Sequence, residues 1–222
     1  MIIENDYQLH LKRSDFMEQD EPHSISQLIQ SRRTIRKILP DAIPLELIYT
    51  ILEIASFAPF HSKKEPWEVL LISTESERQL FSTAILESYT RLGVWDSYDQ
   101  SALDKTKRKV YDYFAEVPVS IVVSVPLEAD QKTSLEAISA TAAFIQNIQL
   151  VAWDKSIGVT WRTTPNIFDS TFAEALRIDS TRKIVATLHL TKIKPASTKI
   201  KAKRSPLSEW VTTLESVRNN ET

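Results

Sequence analysis

The chain has 222 residues, with 27 Lys plus Arg against 29 Asp plus Glu for a net charge of −2, 42% hydrophobic residues and 25% charged residues. That is the composition of a globular protein able to build a core without metal or disulfide staples. It has no cysteine, which excludes disulfides, Cys-type zinc and iron–sulfur sites and a thiol nucleophile. Its two glycines, Gly93 and Gly158, stand too far apart for a GxGxxG dinucleotide loop or a GxxxxGK[ST] phosphate loop, so a bound phosphate would have to be met by Arg or Lys side chains and helix N-termini.

In chain order, residues 1–22 are polar, aperiodic and end at Pro22, which predicts an arm outside a single domain spanning 23–222. No apolar run approaches ~18 residues and no signal peptide is visible, so a cytoplasmic protein without a membrane span is expected. Ser24-Ile25-Ser26-Gln27 has capping-box spacing and should open a short helix that closes in Ser31-Arg32-Arg33-Thr34-Ile35-Arg36. Pro44 suits a first helical position, and Leu45, Ile48, Ile51, Leu52 and Ala55 form a stripe running to Ala58-Pro59. A strand is expected over Val69–Ile72, a helix over Glu75–Tyr89, and a buried strand over Val117–Val125 (VPVSIVVSV).

Between the last two lies a polar and aromatic insertion, about 90–116, with a helix from about Ala102 to Ala115. The stretch Ser134–Lys155 is apolar around most of its circumference, as a central or interface helix would be. Strands at Val159–Arg162 and Ile184–Leu190, a short helix at Phe168–Leu176 and a last amphipathic helix at Pro206–Val217 complete the pattern. Unequal helices and few strands point to an α+β fold, a helix-flanked mixed sheet.

His10, His23, His61 and His189 are scattered and no HExxH pair or GxSxG elbow occurs, so neither a metal site nor acyl transfer has local support. Arg32, Arg33 and Arg36 bunch around the hydroxyl of Thr34, three forks and a donor that suit a phosphate dianion. The same residues also read as cations favouring a helix C-terminus. Lys192, Lys194, Lys199, Lys201, Lys203 and Arg204 form a basic stretch without an acid. It suggests an alternative anion- or nucleic-acid-binding module, against which the net charge of −2 argues.

Ser24–Arg36 (SISQLIQSRRTIR), Asp41–Pro59 (DAIPLELIYTILEIASFAP), Pro66-Trp67, Ala143–Thr163 (AFIQNIQLVAWDKSIGVTWRT) and Arg204–Glu209 (RSPLSE) together resemble, in order and spacing, the FMN-dependent nitroreductase family. Within it the match is to a compact subgroup of NAD(P)H nitroreductases. The resemblance implies a nitroreductase-like, largely antiparallel sheet in an intertwined homodimer, with FMN at the interface, NADH or NADPH as electron donor and a small nitroaromatic, quinone or similar acceptor. It implies ping-pong hydride transfer through flavin N5, with neither nucleic acid nor membrane as partner. A flavin-binding protein without reductase activity is the alternative.

By the same resemblance Arg32, Arg33 and Thr34 meet the FMN phosphate and ribityl chain, and Arg36 approaches the pyrimidine end. His61 contacts the flavin, Trp161, Arg162 and Thr163 lie beside it, and Arg204 with Lys203 or Lys201 completes the phosphate site. Arg36 and Lys63 are the electrostatic candidates, and the 90–116 insertion either covers the flavin or serves as scaffold. On the residues alone, Trp161 also reads as core, and Lys199, Lys201 and Lys203 as a solvated loop. The chain departs from the family pattern at four positions, with Glu65 for a Gln, Lys63 near the place of an Asn, Phe57 for an Arg and Ser156 for a Gly. Lys63 and Glu65 also read as a surface salt bridge.

Overall fold

The computed structural model describes residues 24–61, 63–194 and 202–214. The expected arm at 1–22, together with Lys199 and Lys201, lies outside the described residues. The described elements are α1 (Ile25–Ser31), α2 (Leu45–Ala55), β1 (Glu68–Ile72), α3 (Glu75–Arg91), α4 (Gln100–Glu116), β2 (Val119–Pro126), α5 (Gln131–Asp154), β3 (Ile157–Arg162), α6 (Ser170–Ala175) and β4 (Arg182–Lys192).

The capping box at Ser24 forms as its spacing requires. The Ser24 N–H donates to Gln27 Oε1 at 2.7 Å and the Gln27 N–H to Ser24 Oγ at 3.2 Å, which satisfies two orphan donors at the start of α1. Pro44 sits at the N-cap of α2, one position ahead of its expected place.

The strands form one sheet in the order β1-β2-β4-β3, and every pair is antiparallel. The expected mixed character reduces to a single parallel bridge, Thr34 with Val159. β2 is a continuous apolar run because helices cover both faces of the sheet. Val119, Ile121 and Val123 enter a core with α2 and α5, whereas Val122 enters a core with α3, α4 and α6. A bulge between Val123 and Ser124 re-phases β4, so that Ile184 joins the second core and Ala186 the first.

α5 is the one described helix long and apolar enough to cross a membrane by length and composition. Here its Phe144, Ile145, Ile148 and Ala152 are buried in the first core, and Trp67 stacks on Phe144 at 4.6 Å. At its end Ser156 takes φ 57°, the left-handed conformation that glycine adopts without strain.

In the 90–116 insertion Trp95 is buried against Tyr89 in the second core, and α4 packs on α3 over that face of the sheet. The structure corrects one expectation. Of the expected helix at Pro206–Val217, residues 215–217 lie outside the described residues, and 206–213 form no α-helix but a 3-10 turn at Leu207–Glu209 with Leu207, Trp210 and Val211 exposed. No packed face stabilises this described stretch, and a short helix has little stability of its own in water.

Candidate functional site

The segment after α1 is held against the outer edge of β3. Besides the Thr34–Val159 bridge, Thr160 Oγ1 donates to the Ile35 carbonyl at 2.7 Å and the Leu39 N–H donates to Thr191 Oγ1 at 2.8 Å. Gly158 permits this approach, because a Cβ there would lie 2.5 Å from Ile35 Cγ1. Trp153 Nε1 donates to Ser31 Oγ at 3.1 Å and ties the end of α1 to α5. Four contacts thus fix the backbone from which Arg32 and Thr34 project.

Arg32 and Thr34 line a cavity of ≈ 550 Å³ together with Gln146 and Gln149 of α5, Trp161 of β3, and Thr163. Arg32 Nη1 is buried without a hydrogen-bond partner. Burial first, and then the charges of Arg33 and Arg204, hold the Arg32 guanidinium below its usual range. Like charges converge here on a desolvated donor, and no acid lines the cavity. A dianion such as a phosphate would relieve both penalties at once.

Arg33 has a different task. Its Nη1 donates to the Gln30 carbonyl at 2.6 Å and the Arg32 carbonyl at 2.8 Å, satisfying the C-terminal end of α1. The helix-terminus reading therefore holds for Arg33, while Arg32 faces the cavity. Arg204 is exposed, donates to the Lys203 carbonyl at 3.0 Å and lies within electrostatic reach of Arg32.

Trp161 is 38% exposed and lines the cavity, so it is not a core residue. Arg162 is separated from its neighbours, because successive side chains of a strand point to opposite faces. It lines a second cavity, of ≈ 340 Å³, on the α4 side of the sheet. α4 thus lies across the sheet from the Arg32 cavity of the same chain.

Arg36, His61, Lys63, Glu65 and Lys203 are exposed, and none of them lines the Arg32 cavity. His61, Lys63 and Glu65 belong to the loop entering β1, at the sheet edge opposite β3. Lys63 and Glu65 are not paired with one another, which removes the salt-bridge reading. Gln146 and Gln149 were missed among the expected site residues, although the amides Gln146, Asn147 and Gln149 interrupt the apolar run Ala142–Ala152 and are a visible signal. Among the described residues no His, Asp and Glu cluster could hold a metal ion. Most of the basic stretch falls on 195–201, outside the described residues.

A family model described as the nitroreductase family matches residues 29–191. The chain is 26% identical over 201 residues to the "Putative NAD(P)H nitroreductase YfhC" of Bacillus subtilis, covering 89% of this chain and 98% of that protein. A nitroreductase-like family protein from Bacillus cereus superposes with a TM-score of 0.77 at 27% identity, over 89% of this chain and all of that one. The FMN-dependent nitroreductase NfnB of Mycobacterium smegmatis, crystallised with NADPH, shares the fold with a TM-score of 0.64 at 17% identity, covering 85% of this chain and 96% of that one.

Proposed function

The chain belongs to the nitroreductase family, and on that premise we propose that it is an FMN-dependent NAD(P)H oxidoreductase reducing nitroaromatic, quinone or similar small acceptors in a ping-pong cycle. The Arg32 cavity carries the reading, since a buried, unpartnered guanidinium nitrogen among like charges is what a phosphate-bearing cofactor requires. Family membership and the FMN and NADPH of the Mycobacterium smegmatis relative support the choice of cofactor and donor. When bound, FMN would supply the hydride chemistry between NADH or NADPH and the acceptor.

The protein's own residues bind and orient. Arg32 and Arg204 neutralise the phosphate, Thr34 offers a hydroxyl donor, and Arg33 fixes the helix end behind them. Gln146, Gln149, Trp161 and Thr163 line the rest of the cavity. Arg36, one residue beyond the anchored Ile35, supplies positive charge where negative charge develops on reduction. No side-chain nucleophile is needed.

The second half of the site comes from a second copy of the chain. The His61–Glu65 loop enters at β1, three strand spacings or about 14 Å from β3, so it would meet the cofactor held by a partner's Arg32. The apolar surface supports a homodimer. Tyr49, Ile54 and Phe57, the last 86% exposed, lie on α2 and just beyond it, and Leu135 and Ile138 are exposed on α5. In this reading 23–222 is one flavin-binding domain of a cytoplasmic enzyme, and the 90–116 segment covers the partner's flavin rather than its own.

The test is anaerobic rapid mixing of the purified protein. A yellow preparation that releases FMN on denaturation, loses its flavin colour on mixing with NADH or NADPH alone, and regains it on a second mixing with a nitroaromatic or quinone is the expected result. A protein that takes up no FMN refutes the reading. Flavin that neither nicotinamide reduces would leave a binding protein without reductase activity.

A further inference from the structure

The cavity on the α4 side of β3 lies across the sheet from the Arg32 cavity of the same chain. Arg162 Nε is buried there without a hydrogen-bond partner, and so is Tyr113 Oη. The described company of the Arg162 guanidinium is two aromatic rings, with Tyr113 at 4.9 Å and Phe114 at 5.9 Å from their centroids. No carboxylate lines the cavity, and Lys109 on its wall makes no ion pair among the described residues. A partly buried guanidinium ordinarily has an acid beside it. Here two buried donors face a space whose wall carries an exposed lysine and the neutral hydroxyls of Tyr89 and Thr106 but no carboxylate.

The walls restrict what could supply that acceptor. Tyr89, Val110 and Phe114 present apolar and aromatic surface, so the body of an occupant must be apolar and is best flat. One guanidinium held over aromatic rings matches a planar carboxylate, which accepts two hydrogen bonds side by side, better than a dianion. The volume of ≈ 340 Å³ is at the small end of ligand pockets, about one ring with a short substituent.

We propose that this cavity is a second binding site, separate from the Arg32 cavity, that takes a small aromatic monocarboxylate with its carboxylate at Arg162 and Tyr113 and its ring between Tyr89, Val110 and Phe114. The alternation of Trp161, Arg162 and Thr163 along β3 and the strand end puts the two cavities back to back on opposite faces of the sheet.

The test uses the purified full-length protein, benzoate as probe and benzamide as its uncharged isostere. Flavin absorbance is recorded before and after each addition. Saturation with benzoate is expected to shift the ¹H–¹⁵N resonance of Arg162 Nε, identified by its loss in Arg162→Lys, while benzamide leaves it in place. By calorimetry, Arg162→Gln is expected to weaken benzoate binding at least tenfold and Tyr113→Phe about threefold. If Arg162→Gln does not fold, Tyr113→Phe, one oxygen lighter, carries the measurement. An unmoved Nε resonance would mean that water satisfies these donors, and the proposal fails. It fails equally if benzamide binds as well as benzoate, if neither variant weakens binding, or if benzoate acts by displacing flavin from the Arg32 cavity.

Discussion

Arg32 and Arg162 are two guanidiniums with the same deficiency, a buried nitrogen without a hydrogen-bond partner, and they flank a single strand. Their surroundings differ. Burial first, and then the neighbouring charges of Arg33 and Arg204, lower the affinity of Arg32 for its own proton, and no acid beside it offsets them. Arg162 lies over the faces of Tyr113 and Phe114, whose quadrupoles offset part of its desolvation. A cluster of cations demands a dianion, whereas a cation cushioned by rings is content with a monoanion carried on an apolar body. The chemistry of a guanidinium site is therefore set by its neighbours more than by the guanidinium.

The largest expected effect belongs to the Arg162 face. His189 is buried neutral in β4, with its Nδ1 2.9 Å from Ser120 Oγ. Burial first, and then the charge of Arg162, push it down to about 3 from an ordinary value of 6.5. Because the folded value is lower, the unfolded chain takes up the proton first. Stability is complete above about pH 6.5 and is lost as pH falls from there towards 3, by up to a few kcal/mol. Denaturant midpoints measured from pH 7 to 4 should fall steadily, and His189→Phe should flatten that slope. An equal slope in the variant would place the acid sensitivity elsewhere.

The next effect sharpens the other face. Arg32→Ala should weaken FMN binding by about 1.5 to 3 kcal/mol, the scale of a charge-assisted hydrogen bond. Arg33→Ala should act mainly on stability, by about 0.5 to 1 kcal/mol, through the lost helix-end bonds. Flavin titration and thermal melts of both variants would separate the two roles, and equal losses of FMN affinity would merge them.

Gly158→Ala tests whether the edge segment is what aims Arg32. Its Cβ would overlap Ile35, so a loss of about 1 to 3 kcal/mol in stability is expected, as for other overpacked sites. FMN affinity should fall with it, because Thr34 and Arg32 move with Ile35. Unchanged affinity would show that Arg32 is placed by α1 alone. The smallest effect on FMN is expected for Arg162→Gln, which should leave FMN affinity within about twofold while costing about 0.5 to 2 kcal/mol of stability from the lost ring contacts. A large loss of FMN would join the two cavities into one site.

Much of this was legible from local chemistry. The capping box at Ser24, the Ile48-Ile51-Ala55 stripe of α2 and the doubly buried run of β2 are properties of spacing, and each forms where its spacing requires. Over the described residues 206–213 the amphipathic pattern misled because amphipathicity creates a helix only when its apolar face finds a partner, and here Leu207 and Trp210 stay exposed. Gln146 and Gln149 were passed over because a polar residue in an apolar helix has no assigned role until a cavity is seen beside it.

By itself the sequence determined the absence of glycine phosphate loops and thiol chemistry, the bunching of cations at Arg32–Arg36, and the order of motifs that resembles the nitroreductase family, since composition and covalent spacing survive any folding. Only the tertiary structure decided that Arg32 faces a cavity while Arg33 closes a helix, that Trp161 and Arg162 part company across the sheet, and that the His61–Glu65 loop lies at the opposite edge from β3. Residue identities establish what a side chain can do. Which charges it meets, and across which strand, depends on contacts between segments far apart in the chain, such as Leu39 with Thr191, 152 residues away, and those are chosen by packing.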